Sequence, residues 1–321
     1  MAQSFENVRL LIADQSPMVR TGLRGALFSI GFRNITETGS FIKLHDLIEQ
    51  DAIDLLISSS ELEGNDTGFL VSEMRNQRLG PNPFLVVIAL LANAEPDYVK
   101  KVIDSGADDL LLTPIQPDQL ILRIEKLIRS RKPFVVTHDY TGPDRRTKAR
   151  AFETHSAPMV EVPNPLKFRA EATNLDGTRL NRSVAETAIT MNRIKIERYA
   201  VQIDWLVTHI HATIRDGVTT DPATLAPYTG KLSAVAEDML RRMRGTASES
   251  FSPPVEDLLN TARRLEIDPV MVPFAELERL TTLSRTIGRS LGSPAPSFRT
   301  TPCAPAPVCA PLPPPSRARS A

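Results

Sequence analysis

Residues 53–68, IDLLISSSELEGNDTG, set three consecutive serines directly after an apolar run. Ile53, Leu55, Leu56 and Ile57 read as a strand buried on both faces, and such a strand would deliver Ser58, Ser59 and Ser60 to its carboxyl edge, where open α/β sheets gather their ligands. A serine hydroxyl is un-ionised at neutral pH, so it would accept a phosphoryl or acyl group only with a base at hand, and no histidine lies nearby in sequence. Two other histidines, His209 and His211, fall two apart in a helical stretch. That spacing turns them about 200° from each other, whereas a shared metal needs a spacing of four. Cys303 and Cys309 both lie in a proline-rich tail, which argues against a disulfide scaffold and a structural zinc. Arg145, Arg146, Lys148 and Arg150 form a basic cluster that could meet a phosphate-bearing ligand or an acidic partner. It has no interleaved aromatics of the kind nucleic-acid grooves use, and it reads as a solvated connector. No catalytic residue, metal or cofactor is expected.

The elements that must position those serines come from hydrophobic patterning. From about residue 7 to 131, short apolar runs such as VRLLIA, IDLLIS and FLVVIAL alternate with segments whose apolar residues recur at three and four. Pro17 opens the first such segment, with Val19, Leu23, Ala26, Leu27 and Ile30 on one face, and Pro117 opens the fifth. Five strands alternating with five helices predict a doubly wound, five-stranded parallel α/β sheet, with its chemistry in the loops ADQSP, SSSELEGND, LLANAEP and LTPIQ.

LLIADQSPMVR, IDLLISSSELEGNDTG, VVIALLANAEP and SGADDLLLTPIQPDQLILRI together resemble the receiver domain of bacterial two-component response regulators, over roughly 125 residues. The resemblance implies an acidic pair after the first strand that holds magnesium, a phosphoaccepting aspartate ending the third, a Thr or Ser ending the fourth, an aromatic switch residue on the fifth, and a lysine before a proline. Carried over by position, the acidic pair falls on Asp14 and Gln15, and the phosphoacceptor on Ser59, with Ser58 and Ser60 as one-residue register alternatives. The hydroxyl position falls on Leu91, the aromatic position on Leu110 and the lysine on Thr113, before Pro114. Only Asp14 is intact. Magnesium must offset charge on both the phosphoryl group and the attacking carboxylate, so these departures predict a receiver that is not phosphorylated. The family's surface of fourth helix, fifth strand and fifth helix, here residues 95–131, remains for association, with Tyr98, Val99, Val102 and Ile103 as the fourth helix's apolar stripe.

Gly142-Pro143 and prolines 158, 163 and 165 mark residues 132–183 as an ordered exit that becomes a linker. Ile189, Ile196, Ile203 and Ile210 then recur every seven residues on a long helix ending near Asp216-Gly217. Such a seam either pairs two copies or lines a bundle, and Asn192 and Thr213 on it favour the bundle. Three more helices are predicted at about 222–245, 253–266 and 273–291, giving a helical bundle over residues 184–291. EDMLRRMRGTASESFSPPVEDLLNTARRLE is similar to the histidine phosphotransfer domain, whose histidine stands four residues before a glycine; Gly245 places Arg241 at that position, without the nucleophile. Residues 292–321 are rich in proline and alanine and are predicted to be disordered.

The chain holds 38 basic and 38 acidic residues, so no overall field draws it to nucleic acid or an anionic membrane. No apolar segment approaches the roughly 18 residues of a membrane span, and a cytoplasmic location is expected. The expected function is a response-regulator-like adapter of phosphorelay signalling that associates with a histidine kinase, phosphotransfer or output protein, with a homodimer left open. A working response regulator phosphorylated by another route and a DNA-binding regulator are the alternatives.

Overall fold

The computed structural model describes residues 4–51, 53–146, 158–171, 176–215, 222–267 and 274–292. Lys148, Arg150, the expected helix end at Asp216-Gly217, and the tail from residue 293, with Cys303 and Cys309, lie outside the described residues.

Five parallel strands form one sheet in the order β2-β1-β3-β6-β7, where β1 is Arg9–Ala13, β2 Asn34–Thr38, β3 Leu55–Ser59, β6 Val86–Leu91 and β7 Asp109–Leu112. Between β3 and the next helix, β4 (Glu61–Leu62) and β5 (Asn65–Asp66) form a small hairpin. Because side chains alternate across a strand, the sheet buries two cores. Leu10, Ile12, Leu55, Ile57, Val86, Ile88 and Leu90 face α1 (Pro17–Ser29) and α5 (Pro117–Arg129). Leu11, Ala13, Leu56, Val87, Ala89 and Leu91 face α2 (Phe41–Glu49), α3 (Thr67–Arg75) and α4 (Pro96–Asp104). The predicted doubly wound class is therefore the observed one. Pro17 and Pro117 stand in the first turns of α1 and α5, where a missing N–H costs nothing, and the Ser16 hydroxyl accepts from the Val19 N–H to cap α1.

The stretch expected as a linker is structured in its described parts. β8 (Phe134–Val136) pairs antiparallel with both β9 (Thr141–Pro143) and β10 (Met159–Val160), and α6 (Pro165–Glu171) follows. Composition misleads here because Gly142 and Pro143 serve close packing rather than a loose turn. A Cβ at Gly142 would lie 2.6 Å from the Tyr140 hydroxyl and 2.9 Å from the Gly106 Cα, so only glycine lets this hairpin press against the loop before β7.

Among the described residues, four long helices follow: α7 (Thr178–Arg215), α8 (Pro222–Met243), α9 (Ser252–Ile267) and α10 (Phe274–Leu291), with a 3-10 turn at Ala247–Phe251. Ile196, Ile203 and Ile210 are fully buried against Leu232, Met239, Leu258 and Leu280, each contributing about 1.5–3 kcal/mol. The isoleucine seam is thus filled within one chain. Ile189 departs from the expected seam and is 70% exposed. The cause is that α7 changes partners along its length: its first half turns Leu180, Val184, Met191 and Ile194 onto Phe84, Phe134 and Val136, a different face from the one the bundle uses.

Candidate functional site

The strand registers decide which expected site residues meet. Ala13 pairs with Ser58, Ser59 with Leu90, and Leu91 with Leu112, so Asp14, Ser59, Leu91 and Thr113 lie at or just beyond the carboxyl ends of four neighbouring strands. The Asp14 carboxylate is nearly buried and accepts the Ser16 backbone N–H at 2.7 Å, while the Asp14 carbonyl accepts the Arg20 guanidinium at 2.6 Å. Arg20 also reaches the Gln15 carbonyl at 3.2 Å and Glu37 at 3.8 Å. A guanidinium therefore already lies against the carbonyls beside the acidic position, and Gln15 itself is exposed and uncharged.

The serines divide by role. The buried Ser58 hydroxyl donates to the Ser59 carbonyl at 2.8 Å, and that carbonyl also accepts the Thr67 hydroxyl at 2.6 Å. Ser60 is buried too, donates to the Leu90 carbonyl at 3.0 Å and is hydrogen-bonded to the Tyr98 hydroxyl. Only Ser59 is half-buried at the open edge. Thr113 donates its hydroxyl to the Leu91 carbonyl at 3.0 Å, and its bond to Pro114 is cis. Leu91 is buried, and Leu110 packs against the core on the α4 side. Of the positions carried over from the receiver family, the edge assembles one carboxylate, hydroxyls and apolar groups, while Glu61 and Asp66, the latter paired with Lys101 at 2.8 Å, line a neighbouring pocket with Ser60 and Tyr98.

Other expectations resolve as packing. Tyr98, Val99 and Val102 of the α4 stripe join the sheet core. His209 is half-buried and lies against Trp205 with ring centroids 3.8 Å apart and planes tilted by 32°, its Nδ1 3.1 Å from the Trp205 carbonyl. Among the described residues, His45, Asp46 and Glu49 alone carry metal-capable atoms within 4.8 Å of one another, and all three lie on the outer face of α2.

Sequence reasoning missed two charged centres that join the sheet to the helices. In the first, the fully buried Arg75 of α3 and Arg131 hold Asp108 at 3.0 and 2.8 Å, with both guanidinia about 5 Å from the Phe134 ring. Burial lowers the Arg75 pKa to about 10. Arg131 also donates to the carbonyls of Phe84 and Pro163, fastening α5 to the connecting segment.

In the second, Asp238 of α8 accepts Tyr199 at 2.7 Å, Arg242 at 2.8 Å, Arg241 at 2.8 Å and Arg78 at 2.9 Å. Burial alone would raise this carboxyl's pKa, but Arg242, Tyr199 and Arg241 overcome it and hold the group far below the usual carboxylate range. Arg241 and Arg242 also donate to the carbonyls of Asn76 and Gln77 just past α3, the end of a helix that favours cations. Arg241, the position of the expected phosphotransfer histidine, is therefore part of the contact between the α8 helix and the sheet domain. Lys195 is buried beside this centre with its ammonium on the Thr137 carbonyl at 2.9 Å, and burial brings its pKa down to about 7. A sequence signal existed, because Arg241 and Arg242 lie three and four residues after Asp238, but nothing local tied them to Arg78.

Residues 10–125 match the response regulator receiver domain, so the N-terminal part of the chain is a receiver domain of two-component signalling. Among curated proteins, the chain is 28% identical over 162 residues to the alginate biosynthesis transcriptional regulatory protein AlgB of Pseudomonas putida, covering 50% of this chain and 34% of that one. It is 24% identical over 207 residues to the sensor protein GacS of Pseudomonas syringae pv. syringae, covering 63% of this chain and 22% of that one. To the transcriptional regulatory protein PdtaR of Mycobacterium tuberculosis it is 28% identical over 117 residues, 36% and 55% of the two chains. The chain thus spans between about a fifth and about half of the length of these relatives. Among solved structures, the receiver domain of a sensor histidine kinase from Pseudomonas aeruginosa is 24% identical and aligns over 40% of this chain and all of that one, with a TM-score of 0.35. Among the described residues, no helix is long and apolar enough to cross a membrane.

Proposed function

We propose that this response-regulator-like protein works by association and not by carrying phosphate: its receiver domain is a pseudo-receiver, and its helical part presents the domain to signalling partners. The observation that carries the reading is the edge itself, where Ser59 ends β3 and the remaining carboxylate, Asp14, is hydrogen-bonded to its own loop. Gln15 and Thr113 withdraw one further negative and one positive charge from the positions where a receiver would use them. The helical part is read as a phosphotransfer-like bundle whose histidine position has become the docking residue Arg241, and its support is the four-helix arrangement with Arg241 turned onto Asn76 and Gln77. The partners proposed are a histidine kinase, a phosphotransfer protein or an output protein.

The test is incubation of the full chain with a phosphoramidate and magnesium, followed by intact mass. No stable addition of a phosphoryl group is expected. An addition that maps to residues 10–125 would replace the proposal with a working response regulator.

A further inference from the structure

At the opposite, amino-terminal edge of the sheet, a cleft of about 210 Å³ opens where β7 begins, between the last turns of α5 and the segment leaving β9. Six charged residues line it: Asp108, Asp109, Arg123, Lys126, Lys132 and Arg145. The two carboxylates are already matched. Asp108 is held by Arg75, Arg131 and the Val87 N–H, and Asp109 faces Arg123 at 3.3 Å. Among the described residues, neither Lys126 nor Lys132 has a carboxylate within salt-bridge distance. Arg145 is anchored through one terminal nitrogen to the Ala107 carbonyl at 2.5 Å and lies beside the Tyr140 hydroxyl. Like the two lysines, it has no carboxylate within salt-bridge distance among the described residues, so its charge is not neutralised at close range.

Three surplus cations around a small cleft suit a compact, multiply charged anion with oxygen acceptors in several directions. A phosphate monoester carries about −1.5 to −2 charge and three such oxygens. The volume decides how much of the ligand enters, because whole small-molecule sites usually span about 300–1,000 Å³. We infer that this cleft binds the phosphate group of a small phosphomonoester or diphosphate, with the rest of the ligand left outside. The packing of Gly142 against Gly106 sets the position of Arg145, so the TGPDRR stretch builds one wall of the site while β7 and α5 supply the other. A bound phosphate would bridge the receiver to the segment that leads to the helices.

The experiment is calorimetric titration of the full chain with sodium pyrophosphate, in EDTA and at fixed ionic strength, with sodium chloride as the control. EDTA removes magnesium, so the outcome is independent of whether the carboxyl edge accepts a phosphoryl group. Saturable one-to-one binding is expected, at least about tenfold weaker in the Lys126→Gln/Lys132→Gln double variant, which changes only solvated side chains, and weaker again with Arg145→Gln added. Heats no larger than those of chloride, or wild-type affinity in the double variant, would overturn the assignment.

Discussion

Removing the carboxylate of Asp238 tests the junction between the sheet and the helices most directly. Asp238→Ala would leave three guanidinia around an empty position, and the Arg242 side chain, 3% exposed, would lose the carboxylate it pairs with among the described residues while staying out of water. Breaking a buried pair from one side costs about 3–5 kcal/mol, a large part of the roughly 5–15 kcal/mol that holds a domain together. Arg78→Ala removes one partner of the same carboxylate from a side chain that is 42% exposed, and Arg241 and Arg242 remain, so its cost should be about 1 kcal/mol or less. Urea denaturation of both variants at pH 7, followed by circular dichroism, measures the contrast. The pH dependence has a definite sign. Asp238 has a depressed folded-state pKa, so its contribution is complete above the unfolded value near 4 and is lost as pH falls below it. The gap between wild type and Asp238→Ala should therefore narrow in acid. Were Asp238→Ala to lie within about 1 kcal/mol of wild type, or to match Arg78→Ala, the carboxylate would not be the centre of this junction.

Four further outcomes follow from the same geometry. Lys195 releases its proton near pH 7 when folded but near 10.5 when unfolded, so stability should rise with pH between those values; Lys195→Met should flatten that slope in thermal melts across the range. Gly142→Ala forces a Cβ into the Tyr140 hydroxyl and Gly106, and should cost roughly 1–3 kcal/mol. Gly25→Ala, in α1 with nothing within 4 Å of the added Cβ, should stabilise by about 0.5–1 kcal/mol, and denaturant midpoints separate the two glycines. Ser59→Asp alone should take up no phosphoryl group from a phosphoramidate, whereas Gln15→Asp, Ser59→Asp, Leu91→Thr and Thr113→Lys combined should bind magnesium and do so, as intact mass will show.

The parallel sheet was legible because VRLLIA, IDLLIS and FLVVIAL are apolar on both faces, a pattern that only strands covered by helices on both sides sustain. The carboxyl edge was legible for the same reason, since strand ends locate Asp14, Ser59 and Thr113 without any tertiary information. What stayed hidden depends on long-range pairing. Arg75 and Arg78 occur in SEMRNQR, where nothing local ties them to a partner, and only the fold brings them to Asp108 and Asp238. Ile189 keeps the seven-residue period of the seam but is exposed, because the period cannot report that α7 leans on Phe84 and Phe134 before it reaches the bundle. Gly142-Pro143 carries the composition of a turn, yet its glycine answers a close approach that sequence alone does not reveal.

The two buried charge centres bear on how a pseudo-receiver could act. A phosphoryl switch needs two conformations and a ligand whose binding energy differs between them. On the proposed reading the edge lacks that ligand, and its loops are held by hydrogen bonds: Tyr98 of α4 bonds to Ser60, and Thr113 bonds to Leu91. The helices meanwhile grip the end of α3 through Arg241 and Arg242, while Arg131 fastens α5 to the connecting segment. On that reading a signal enters by contact, through surfaces such as the exposed Leu112 of β7 and Leu122 of α5, and not through a charge placed at Ser59. A rigid mount suits that role, because a docking surface that is already ordered loses less conformational freedom when a partner binds.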